Sequence, residues 1–338
     1  MVIFWIVFGC LFLFVAALFL LTYGIDRAVF GKRYEGNPNL KNFTAADFEG
    51  LTSRPVEFHS NRGQLLRGEL YRCPEAEPYC GLLIFVHGMN SEHASYTTEI
   101  NTFAQKGFLV LSYDQTGTCA SEGDSLGGFY QGVLDLKAAL RFVASDPELS
   151  EYPVLLAGHS WGGYIVSQVL PFAPQVKAAV AFSGFNNSTR LLSSLAKSKL
   201  PVPETFLSPF FFLFNRLRFG KNAVRTSEAA IRSAEIPVLL FHGDADPVAP
   251  LRLSTAACFA EGTLPFAEVQ ILPGRYHNVY QSKAAEEYLT QTFANLAGVA
   301  KLPPEEQKVF YDSLDFKRMT EEDEDVMAQA VDFLKKHL

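Results

Sequence analysis

The chain opens on an uncharged apolar run, residues 2–22, and then changes character several times. As a helix this run is about 31 Å long, close to the ~30 Å hydrocarbon thickness of a bilayer. Residues 24–50 are polar, with Gly-Asn-Pro-Asn at 36–39 marking a loop, and they read as a tether. Val56–His59 and Leu65–Tyr71 then read as a hairpin turning at Asn61-Arg62-Gly63. Short apolar strands follow at Gly81–Val86, Phe108–Tyr113, Val154–Ala157, Val176–Phe182, Val238–Phe241 and Ala267–Leu272. Helical patterns such as Val133–Ala144 and Ala284–Leu296 fill the gaps, so the expected fold class is α/β, with a mostly parallel central sheet covered on both faces. The predicted organisation is an anchor at 1–23, a tether at 24–50, an α/β domain at 51–300 and a tail at 301–338. An insertion at about 186–232 breaks the alternation, and the charged tail reads as one or two surface helices.

Composition sharpens this picture. With 338 residues and 48% hydrophobic content the chain can bury a large core. Its net charge of −7 argues against nucleic acid as a partner, and no zinc-type spacing of Cys and His is present. The insertion has the opposite sign: eight Lys and Arg stand against Glu204 and Glu228, around the Phe-rich stretch Phe206–Phe219. No Lys or Arg precedes the apolar run and no small-x-small site follows it, which favours a retained anchor over a cleaved signal. Arg27, Lys32 and Arg33 follow the run, so the positive-inside rule places the domain on the cytoplasmic face of the membrane. Of the five cysteines, Cys73 and Cys80 flank a turn-like segment where a disulfide could form in an oxidising compartment; two unpaired thiols fit equally well.

The chemistry centres on Val154-Leu-Leu-Ala-Gly-His-Ser160-Trp-Gly162, a strand running into a Gly-x-Ser-x-Gly turn ahead of the helical run Tyr164–Leu170. This resembles the nucleophile elbow of α/β-hydrolases, where a serine sits on a strained strand-to-helix corner. The string alone is weak, because a chain of this length contains it by chance about one time in ten. Gly123-Asp-Ser125-Leu-Gly127 is such a decoy, preceded by loop-like sequence and no strand. Context therefore selects Ser160.

A serine hydroxyl needs a histidine to take its proton and a carboxylate to hold that histidine in one tautomer. The strand ending at Phe241 leads to Asp244-Ala-Asp246-Pro-Val248, and the strand ending at Leu272 leads to Pro-Gly-Arg-Tyr-His277. The expected triad is Ser160, Asp246 and His277; Asp244, directly after Gly243, suits a turn cap better. The remaining candidates His59, His87, His93, His159 and His242 read as structural. Oxyanion donors are expected from the backbone N–H groups of Trp161 and, in His87-Gly88-Met89-Asn90, of Met89. No metal or organic cofactor is required.

The segments His87–Tyr96, Gly158–Gly162, His242–Asp246 and Gly274–His277 together are similar to monoacylglycerol lipases and lysophospholipase-type serine hydrolases over roughly residues 51–297. The resemblance implies a capped α/β-hydrolase acting on ester or related acyl bonds. Gln115-Thr-Gly-Thr-Cys119 departs from the family, which more often has Arg or His and a second glycine there, and the Phe-rich insertion matches no assignable cap. The expectation is a membrane-anchored serine hydrolase of carboxylic esters, a monoacylglycerol or lysophospholipid among them. Its aromatic insertion either packs the cap onto the sheet or meets an acyl chain or the membrane interface. The alternatives are an amide or thioester hydrolase, such as a peptidase or thioesterase, and a non-catalytic binding protein of the same fold.

Overall fold

A computed structural model describes the whole chain apart from Glu261, Thr263 and Asn295. Eight strands form one sheet in the order β1-β2-β4-β3-β5-β6-β7-β8. They are β1 (Thr52–His59), β2 (Leu65–Arg72), β3 (Gly81–Val86), β4 (Phe108–Tyr113), β5 (Val154–His159), β6 (Val176–Phe182), β7 (Val238–Gly243) and β8 (Ala267–Leu272). β1 and β2 are the expected hairpin and β2 joins β4 antiparallel, while β4-β3-β5-β6-β7-β8 run parallel. Strands covered on both faces have no polar side to show, and every residue of β3, β4 and β5 is buried.

Alternation along β3 divides the core. Leu82, Ile84 and Val86 face the layer that holds α3 (Phe129–Ser145) and α4 (Trp161–Val169), while Leu83 and Phe85 face α2 (Thr97–Gln105). That second face is completed by α12 (Glu324–Lys336), whose Val326, Met327, Ala330, Val331, Phe333 and Leu334 are buried. The tail was expected to lie on the surface; its last helix is instead a core layer, because its apolar stripe meets the uncovered sheet. Between β8 and α12 the chain forms α8 (Lys283–Phe293), α9 (Leu296–Val299), α10 (Pro304–Asp312) and α11 (Phe316–Met319). Residue 295, inside the expected Ala284–Leu296 helix, lies outside the described residues.

The insertion is helical: α5 (Ser188–Lys199), α6 (Glu204–Phe219) and α7 (Ser227–Ala234) lie between β6 and β7. The apolar run forms α1, but this helix spans Val2–Phe30, well past the apolar end. It continues through Asp26 because Arg218 Nη2 of α6 donates to Asp26 Oδ2 at 2.6 Å. The expected tether is also docked: the Arg33 guanidinium donates to the carbonyls of Cys119, Ser121 and Gly123, and Thr97 Oγ1 donates to the Phe43 carbonyl. Cys73 and Cys80 are free thiols, engaged with Gln105 and the Gly107 carbonyl.

Candidate active site

Ser160 sits between β5 and α4 with φ 56° and ψ −111°, a left-handed conformation that costs a non-glycine residue of order 1–3 kcal/mol. Two glycines make the corner possible. A Cβ on Gly162 would lie 1.9 Å from the Val86 carbonyl oxygen of the neighbouring strand, and one on Gly158 would lie 2.6 Å from Gly162. The strain aims Ser160 Oγ at the loop after β8, where it donates to His277 Nε2 at 2.8 Å. His277 Nδ1 in turn donates to Asp246 Oδ2 at 2.7 Å. The structure thus brings together Ser160, Asp246 and His277, three loops each following a parallel strand.

Asp246 is 4% exposed and firmly held: its Oδ1 accepts the N–H groups of Val248 and Ala249 at 2.8 and 2.9 Å. Burial alone would raise its pKa; the His277 hydrogen bond and charge, with the Ala249 N–H, outweigh it and hold the carboxyl below its ordinary value. Asp244 does what its position suggested, accepting the Gly274 N–H at 2.7 Å. Ser125 lies in a loop, and among the described residues no histidine is hydrogen-bonded to it.

Trp161 is the first residue of α4, so its N–H has no acceptor within the helix and stands free beside Ser160. Met89 lies in the turn after β3. That turn is braced from three sides. Fully buried His87 donates Nδ1–H to the Gly88 carbonyl and accepts the Gln115 N–H at Nε2, while Gln115 Nε2 donates to the His87 carbonyl at 2.8 Å. Burial lowers the His87 pKa, keeping the neutral ring that this pattern needs. His93 Nδ1 and its N–H both donate to Asp114 Oδ1. Gln115, the first residue of the segment that departs from the family pattern, is completely buried and serves as a brace.

A third support went unread in the sequence. The Gly88 N–H donates to Tyr96 Oη, Tyr96 O–H donates to His159 Nδ1 at 2.9 Å, and His159 Nε2–H donates to the His277 carbonyl at 3.1 Å. This chain couples the Met89 turn to the His277 loop. Burial, with the nearby His277, pushes the His159 pKa down to about 3, so the link stays neutral. Ser183 Oγ donates to the same His277 carbonyl. The signal was available only as a histidine directly preceding the serine.

The His277 loop is also clamped from behind. Arg275 is 7% exposed; its Nε donates to Glu286 Oε2 at 2.9 Å and its Nη1 to Asp323 Oδ2 at 2.6 Å. Its Nη2 reaches the carbonyls of Val279 and Gln281, and Glu286 Oε2 also accepts the Tyr276 N–H. Asp323 caps α12, so the tail buttresses the catalytic loop. Beside His277 a cavity of about 390 Å³ opens between Val248, Tyr276, Leu289 and Phe293. A larger cavity of about 790 Å³, between Phe43, Phe48 and the 315–322 segment, has no triad residue in its lining.

Residues 77–209 match the family model described as serine aminopeptidase, S33. No curated protein sequence matches the chain. Among solved structures, an esterase of Pyrococcus furiosus is similar at 18% identity and a TM-score of 0.58, with 90% of this chain and 98% of that one covered. Acetyl xylan esterase 1 from Thermoanaerobacterium sp. is similar at 20% identity and a TM-score of 0.53, covering 75% and 85%. An α/β-hydrolase from Penicillium sp. is similar at 18% identity and 0.53, covering 85% and 99%. Sheet order and solved structures agree on the α/β-hydrolase fold, and residues 77–209 of this chain are similar to the serine aminopeptidase family within it.

Proposed function

We propose that this protein is a membrane-anchored serine hydrolase of carboxylic esters, with Ser160 as nucleophile, His277 as base and acid, and Asp246 as the group that orients His277. The observation that carries this reading is the unbroken chain from Ser160 Oγ through His277 to Asp246, at 2.8 and 2.7 Å, starting from a strained serine. As Ser160 Oγ attacks the ester carbonyl carbon, its proton passes to His277 Nε2. The carbonyl oxygen becomes an oxyanion facing the N–H groups of Trp161 and Met89. Collapse breaks the bond to the alcohol, which leaves with the proton from His277. Water then gives a proton to His277 as it attacks the acyl-serine carbon; collapse breaks the bond to Ser160 Oγ, which takes that proton back from His277 as the acid leaves. Each oxyanion donor is worth about 10²–10³ in rate.

Lipid esters such as a monoacylglycerol or lysophospholipid suit the site best. The cleft beside His277 is walled by Val248, Leu289 and Phe293, and the first half of α1 leaves Val2–Phe8 and Leu11–Val15 exposed. Basic Arg27, Lys32 and Arg33 after the apolar run support a cytoplasmic face for the domain by the positive-inside rule. A peptidase reading needs a carboxylate for the substrate amine; in the cap, Glu204 lies 3.9 Å from both Lys197 and Arg252, and Glu228 pairs with Arg232 at 2.9 Å. Labelling of the membrane fraction by a fluorophosphonate probe tests the mechanism. Loss in Ser160→Ala and retention in Ser125→Ala is the expected result; no labelling of the folded wild type would sink it. Turnover of short soluble esters without any preference for long acyl chains would remove the lipid part.

A further inference from the structure

The anchor and the cap are a pair of parallel helices in matched register. Phe14 packs on Phe206, Phe19 on Phe210 and Phe214, and Tyr23 on Phe214, with ring centroids 5.4–6.2 Å apart. One turn further on, Asp26 meets Arg218. Two segments nearly two hundred residues apart therefore change from aromatic to charged at the same level. Around that level the last turn of α1 holds Arg27 and the last turn of α6 holds Arg216 and Arg218, with Lys221 just after it. On the side turned away from the core, α6 exposes Phe206 (46%), Phe212 (48%), Leu213 (41%) and Leu217 (75%).

Registration with α1 fixes how deep these side chains lie. Phe14 stands eight residues before the end of the apolar run at Thr22, which is about 12 Å along a helix. If α1 crosses a bilayer along its apolar run, Phe206 cannot remain in water while packed on Phe14. Lys197 and Lys199, at the corner ahead of α6, are the charges such depth must accommodate. Lys197 Nζ lies 3.9 Å from Glu204 Oε1, and the long apolar stems of both lysines are of the kind that lets a charged head snorkel.

We propose that α6 is immersed in the bilayer beside α1, its exposed phenylalanines and leucines facing hydrocarbon and its basic end, with Arg27, lying among the phosphates. This rests on the membrane-anchor reading of α1 and adds to it a second point of contact, one that belongs to the cap. The same helix buries Leu207 and Phe211 in the core, so a helix of the inserted segment is both packed on the domain and part of the membrane-bound surface.

The test is hydrophobic photolabelling of the full chain, folded by circular dichroism, in vesicles of phosphatidylcholine and phosphatidylglycerol. Trifluoromethyl-iodophenyl-diazirine is activated and its incorporation mapped by peptide. The expected result is labelling of 204–219 comparable, per residue, to that of 2–22 and several-fold above α10, whose 69%-exposed Val309 reports reagent taken up from water. Labelled 2–22 with 204–219 no higher than α10 overturns the immersion and leaves the anchor standing. Absence of label from both segments overturns the anchor reading, and the immersion with it.

Discussion

Replacing Arg275 with methionine tests the clamp behind His277, the proposed base. The substitution keeps an unbranched apolar stem but removes the donors to Glu286, Asp323 and two backbone carbonyls. Glu286 is 3% exposed and its Oε1 already has no partner, so it would be left with the Tyr276 N–H alone. Stranding one member of a buried ion pair costs about 3–5 kcal/mol, and each bereft carbonyl adds about 1 kcal/mol where the loop cannot relax. Overlap between these effects leaves an expected loss of about 4 kcal/mol, a large share of the roughly 5–15 kcal/mol available to a domain. Urea unfolding of detergent-solubilised full-length protein, followed by circular dichroism, measures it. Adding Glu286→Gln removes the stranded charge and is expected to recover about 2 kcal/mol. Ester turnover should not recover, because the loop bearing His277, two residues on, is still released; a displacement near 1 Å costs about 10² in rate. A stability loss below about 1 kcal/mol in Arg275→Met, or wild-type kcat/KM in the folded variant, would refute the reasoning.

Three further outcomes follow from the geometry. Asp246→Asn leaves the loop bonds to Val248 and Ala249 in place but presents the wrong tautomer to His277, so kcat should fall about 10⁴-fold with little change in melting temperature. Gly162→Ala sets a methyl 1.9 Å from a strand carbonyl, and soluble folded yield, measured by size-exclusion chromatography, should collapse; a folded, active variant would contradict the packing of the elbow. Between α2 and the tail, burial raises the pKa of Glu322 to about 7 and, with Glu322 as neighbour, raises that of Glu99 too. The folded state therefore binds more protons than the unfolded one between about pH 4.5 and 7, and stability is lost as pH rises through that window. The loss is read as a falling urea midpoint from pH 5 to pH 8, flattened by Glu322→Gln.

The parallel sheet was legible because strands covered on both faces must be continuous apolar runs, and Gly81–Val86, Phe108–Tyr113 and Val154–Ala157 are such runs. The candidate site was legible for a related reason. A nucleophile, an acid and a base that follow successive parallel strands arrive at the same edge, so Ser160, Asp246 and His277 could be picked by loop position alone. What escaped depends on partners far along the chain. Asp26 and Arg27 look like the end of a helix until Arg218 supplies the counter-charge that lets α1 continue to Phe30. The charged tail hides a stripe that only matters because Leu83 and Phe85 await a cover. Gln115, His159 and Arg275 each act through bonds to segments that no local pattern predicts.

The placement of α12 also has a consequence in time. A chain emerging from the ribosome delivers Ser160, Asp246 and His277 well before residues 324–336, yet the Leu83–Phe85 side of the sheet stays open until those last residues arrive. During that interval the nascent domain exposes a greasy face and an unsupported His277 loop, the state most prone to aggregate. On the proposed anchoring, α1 would hold neighbouring nascent chains apart in a plane while α12 closes this layer.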